Sequence, residues 1–171
     1  MRSLINSILR ITQLFLVLIA TALLGNVRAS TQHAASSATA AINFAIFVCV
    51  LSWVAVLYSL LAHFVDAVAI PIVAIALDGF ATLFTFIGAV VLSAKLTTVN
   101  CANIGTRPSD WIAFGSANTE KRCREIQAGL VFMWFLFGTF TVALVLAFRE
   151  FRRGGGSVRG PSLASMSQIG V

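Results

Sequence analysis

Four long apolar stretches, beginning near Ile8, Ala41, Ala69 and Ile126, fill most of this chain, and the sizeable polar interruption falls between the third and the fourth. A membrane-spanning α-helix needs ~20 predominantly apolar residues, and each stretch reaches that length. The chain is therefore expected to be all-α, an integral membrane four-helix bundle. Composition agrees: 58% of the 171 residues are hydrophobic and 11% charged, with a mean hydropathy of +0.93. That leaves too little polar surface to clothe a water-soluble globule. The expected domain organisation is one membrane domain over 1–149 and a flexible tail over 150–171, where Gly and Ser replace any apolar periodicity.

The formal charge is +6, yet the basic residues stand almost entirely at the edges of the apolar runs, as interfacial anchors do. Arg10, Arg149, Arg152 and Arg153 are the expected contacts to anionic lipid headgroups, each worth about 1 kcal/mol near the surface. No basic and aromatic residues interleave on a soluble segment, so nucleic acid is not an expected partner.

The first stretch opens with Arg2, Ser3, Asn6, Ser7, Arg10 and Gln13, whose spacings of three and four place them on one helical face. This stripe suits helical turns among headgroups or against a neighbouring helix, with Arg10 reaching towards water. A basic start, an apolar run from Ile11 to Gly25 and Val27-Arg28-Ala29 before Ser30 also have the form of a cleavable signal peptide, which stays open beside a retained first span. Small residues at Ala41, Ala45 and Cys49, at Thr85, Ala89 and Ser93, and at Thr139, Ala143 and Ala147 mark expected helix-contact seams. The third span, Ala69 to Leu96, is expected to be the longest, with Pro71 in its first turn.

Asp78 lies in the middle of that span as read from the sequence. An intramembrane acid costs about 2.5 to 3.5 kcal/mol at a helix centre, so it should face the interior, be protonated or meet a donor. It is either a hydrogen-bond anchor between helices or a proton, cation or headgroup site. Hydroxyls, Asn43 and Gln13 are its expected partners.

Thr97 to Glu125 reads as one polar loop lying on the membrane surface, with Trp111 and Phe114 at interfacial depth. Cys101 and Cys123 bracket it, and a disulfide between them would stabilise the fold by roughly 3 kcal/mol. Two free thiols are the alternative. No metal site is expected, because no second cysteine pair or adjacent His completes four ligands. Cys49, inside an apolar span, reads as a reduced packing residue or an acylated one. Six basic residues accompany the termini and six the loops, so the positive-inside rule does not orient the chain. A disulfide persists on an oxidising face, which predicts cytosolic termini.

Ile8-Leu9-Arg10 entering the first span, Leu77-Asp78-Gly79-Phe80 with Phe84-Thr85-Phe86, Cys101, and Arg122-Cys123-Arg124 before Gln127-Ala128 together resemble fungal MARVEL-type four-span proteins, and in particular the non-classical export protein 2 family. The likeness covers nearly the whole chain. It implies a multi-pass plasma-membrane protein of eisosome-associated microdomains, responsive to sphingolipids and involved in unconventional protein export. Membrane lipids, including sphingolipids and anionic headgroups, and microdomain proteins are the implied partners. Gly154-Gly155-Gly156 depart from the basic tail that the family leads one to expect.

No phosphate-binding Gly-rich loop, catalytic Ser or Cys set, metal cluster or paired carboxylate is legible, so neither catalysis nor a cofactor is expected. Two functions follow: a non-enzymatic organiser of membrane microdomains, or a small proton- or ion-coupled transporter or channel using Asp78. The second calls for a homo-oligomer, since four helices alone leave little room for a pore.

Overall fold

The computed structural model describes residues 2–65 and 70–153. They form four helices: α1 (Arg2–Ala29), α2 (Ser36–Phe64), α3 (Pro71–Leu96) and α4 (Thr119–Arg153). Each contains a segment long and apolar enough to cross a membrane. In lipid the backbone must satisfy its own hydrogen bonds, and helices do so within each span. Sequential helices pack against one another and run antiparallel. α1 packs on α2 and α4, α3 packs on α2 and α4, and α1 lies diagonally opposite α3.

The small-residue seams face inward as expected. Ala41, Ala45, Cys49 and Ala55 of α2 are buried, as are Thr85 and Ala89 of α3 and Ala143 of α4. Cys49 has no exposed surface and is a free thiol, which fits packing and not acylation. Large apolar side chains such as Phe15, Phe47, Leu57, Phe80, Leu83, Phe135 and Phe148 point outward, where lipid is their solvent.

Three expectations about length and loops need correction. α3 is the shortest helix, 26 residues, because Pro71 supplies its first turn and lacks the N–H that an earlier start would use. α4 is the longest at 35 residues, beginning at Thr119 and not near Ile126. Asn118 caps it, its Oδ1 accepting the Lys121 N–H at 2.9 Å. The pairs Glu120–Arg124 and Lys121–Glu125, four residues apart, then carry the helix through a polar stretch that ended the hydrophobic run but not the helix.

The segment 97–118, expected on the membrane surface, instead closes one end of the bundle. Trp111, Ile112 and Ala113 are buried. The Trp111 indole N–H donates to Leu96 O at 3.1 Å at the end of α3, so the ring packs inward and does not anchor at the interface. Phe114 stacks edge-on against it, with ring centroids 5.3 Å apart. Cys101 and Cys123 are disulfide-bonded, Cα–Cα 5.7 Å, which ties this lid to the second turn of α4.

Candidate functional site

The two ends of the bundle differ. At the lid end, arginines meet the carbonyl-rich ends of α1 and α3, where the helix macrodipole is negative. Arg122 is almost wholly buried. Its Nη1 donates to Val27 O at 3.0 Å and Thr31 Oγ1 at 2.7 Å, and its Nε to Ile112 O at 3.3 Å. Arg107 donates to Thr98 O, Ile104 O and Thr97 Oγ1 and lies over the Trp111 ring, 5.5 Å from its centroid. It thereby braces the α3 terminus, where Thr97 adopts φ 59°. Gly115 accepts from the Gln32 and His33 N–H groups, joining the α1–α2 connection to the lid.

At the other end the core stops at one level. Among the described side chains, burial begins at Gln13 in α1 and Asp78 in α3, and ends at Val56 in α2 and Ala143 in α4. Beyond that level the helix ends surround a cleft of about 410 Å³, with Arg10, Ser59, Ala74 and Ala147 contributing to its walls from all four helices, and Glu150 towards the mouth. We refer to it as the vestibule.

Arg10, which lines it, is the cationic half of a buried ion pair. Arg10 Nη1 donates to Asp78 Oδ1 at 2.7 Å and Nη2 to Asp78 Oδ2 at 2.5 Å, the bidentate geometry that makes such pairs strong. Nη1 also donates to Gln13 Oε1 at 3.0 Å. The Asp78 side chain is 0% exposed and that of Arg10 15%, so the pair bridges the α1–α3 diagonal with its cationic member nearer water. Arg10 and Asp78 lie about 12 and 10 Å in from their helix starts, at 1.5 Å per residue. Side chains lean towards a helix N-terminus, and both N-termini lie at the vestibule end.

Arg10, expected to contact headgroups, thus meets a carboxylate within the bundle, because the polar stripe of α1 faces its neighbours. Asp78 is not central in its span but about two turns in, and its partner is Arg10. Gln13 reaches that arginine, whereas Asn43 accepts from Arg28 Nε at 3.0 Å elsewhere. Arg149 and Arg152 are exposed at the end of α4; of the tail expected over 150–171, residues 150–153 are the helical end of α4, and the side chain of Arg153 and residues 154–171 lie outside the described residues. Among those residues no group of three His, Cys, Asp or Glu is placed to hold a metal.

Arg122 was not legible as a buried hub, although a signal existed. Extending the inward spacing of Ile126, Met133, Leu136 and Phe140 backwards by three and four puts Arg122 and Cys123 on the core face.

Apolar, antiparallel helices with a buried seam, a lipid-facing apolar surface and a disulfide-tied lid define a four-span integral membrane protein. The chain belongs to the MARVEL family of membrane-associating domains, whose model matches residues 3–146. It is 30% identical over 148 residues to "Non-classical export protein 2" of Saccharomyces cerevisiae, covering 86% of this chain and 82% of the yeast protein. It is 27% identical over 152 residues to "Non-classical export protein 2 homolog 1" of the same yeast, covering 88% and 83%. The resemblance drawn from short ordered motifs is borne out. No solved structure matches.

Proposed function

We propose that this protein is a non-enzymatic organiser of lipid and protein microdomains in the plasma membrane, with cytosolic termini. The observation that carries the proposal is the state of Asp78: the buried acid is held by Arg10 in a bidentate pair that links two helices. A proton-carrying acid needs a route onward, yet beyond the pair stand buried Val17, Ala20, Ala81, Leu136 and Phe140, and the buried hydroxyls of Ser52 and Thr85 are spent on their own helices, donating to Val48 O and Ala81 O. What remains for interaction is the lipid-facing surface and the vestibule. The disulfide supports a lid on the oxidising side of the membrane and hence cytosolic termini. Eisosome association and sphingolipid response rest on the family resemblance, and a part in unconventional export is supported by the names of the yeast relatives. Arg149 and Arg152, exposed at the end of α4, are proposed headgroup contacts, joined by Arg153 from its position in the sequence.

Imaging a tagged copy beside a microdomain marker, before and after sphingolipid depletion, tests this. Co-localisation that disperses on depletion is expected; a uniform distribution unaffected by depletion would refute it. The transport alternative is favoured by the vestibule leading to an ion pair, and Asp78→Asn separates the two. A transporter should lose flux in reconstituted vesicles, whereas an organiser should lose stability or localisation only.

A further inference from the structure

Over its last two to three turns at this end, each helix presents no fully buried described side chain, and the described side chains leave a cleft between the helix ends that an occupant could enter. Two features restrict the occupant. The walls are mainly apolar, with Leu9, Leu60, Ile75 and Phe151 among them. The floor offers donors: after its three bonds Arg10 retains its Nε–H and an N–H of Nη2. Ser59 Oγ, in the wall, is buried without a hydrogen-bond partner. A pure hydrocarbon chain would leave these donors unsatisfied, at about 1 to 3 kcal/mol for each buried group.

Depth narrows the choice further. A 28-residue α1 spans about 42 Å, exceeding a hydrocarbon core of about 30 Å by roughly 6 Å at each end. The Arg10 Cα then lies a few Å below the hydrocarbon boundary, and its side chain leans back towards that boundary. A phosphate at the base of the headgroup layer is within reach of a guanidinium so placed, and its oxygens are acceptors that match arginine.

We propose that the vestibule binds the phosphodiester of a leaflet phospholipid. Its phosphate oxygens accept from the spare N–H groups of Arg10 and from Ser59, and its glycerol and upper acyl carbons lie against the apolar wall. Arg10 thereby serves two anions, Asp78 inside the bundle and the lipid at its edge. The site deepens the organiser proposal by naming a lipid that the bundle holds, but its test is independent of microdomain imaging: either experiment can fail while the other stands.

The experiment is native mass spectrometry of the full chain in detergent, offered phosphatidylcholine with phosphatidylserine, diacylglycerol, or inorganic phosphate. The wild type should retain a single phospholipid per chain and no diacylglycerol, with inorganic phosphate failing to displace the lipid. Ala74→Phe with Ala147→Phe fills the cleft and should abolish retention. Ser59→Ala, which removes a donor without adding bulk, should lower retention about tenfold, as expected for loss of a hydrogen bond to a charged group. If the filled variant does not fold, Ser59→Ala decides alone. Equal retention by wild type and variants would overturn the proposal, as would equal retention of diacylglycerol or displacement by inorganic phosphate.

Discussion

Arg10→Met removes the guanidinium while keeping much of the side chain's length, and leaves a fully buried Asp78 without a cation. Breaking a buried ion pair from one side costs about 3 to 5 kcal/mol, and an isolated intramembrane acid about 2.5 to 3.5. Water entering the vestibule softens the loss, so about 3 kcal/mol is expected. Asp78→Leu should cost less, about 1 to 2 kcal/mol, because the orphaned arginine can extend into the vestibule and remain hydrated. The double variant should lose only about 1 to 2 kcal/mol, giving a coupling of about 3 kcal/mol between the sites. The assay is equilibrium unfolding in mixed micelles, followed by tryptophan fluorescence, for the wild type and all three variants. An Arg10→Met protein within about 0.5 kcal/mol of the wild type, or losses that simply add in the double variant, would refute a coupled pair bridging α1 and α3.

Three further outcomes concern the lid. Cys101→Ser and Cys123→Ser, singly or together, should abolish the mobility shift on reduction and lower stability by roughly 3 kcal/mol, the entropy of closing this loop. Arg122→Met removes the bonds to Val27 O, Thr31 and Ile112 O, each worth about 1.5 to 3 kcal/mol as a hydrogen bond to a charged group; hydrogen exchange should accelerate across 97–118 and leave the centre of α3 protected. Gly115→Ala should destabilise the protein by about 1 to 3 kcal/mol, since Gly115 has φ +96° and a Cβ there would meet Ala34 Cα at 2.5 Å; thermal unfolding of the purified protein reads this directly.

The four helices and their seams were legible because in lipid the length of an apolar run and the spacing of small residues are the dominant constraints. The paired cysteines were legible too. What escaped were features in which polarity and structure part company. The polar stretch Thr119 to Glu125 is helical because capping and charge pairs four apart sustain it. Trp111 resembles an interfacial anchor in sequence, yet its N–H closes the end of α3. Arg10 and Asp78 stand 68 positions apart, and only the diagonal packing of α1 and α3 brings them together. The polar stripe of α1 indicated which face turned inward, but not which acid it would meet.

The account rests on a bundle sealed at its lid and, among the described residues, open at the end carrying the termini. The most direct test introduces cysteines by Ala74→Cys in the vestibule wall and by Ala89→Cys in the buried α3 seam, each with Cys49→Ser and the native disulfide intact. A membrane-impermeant maleimide is then applied to sealed membranes of either orientation. The cysteine at 74 should label from the side of the termini, at a rate limited by exchange of the bound lipid, and the one at 89 from neither side. Comparable labelling at 89, or labelling at 74 only from the lid side, would contradict the account.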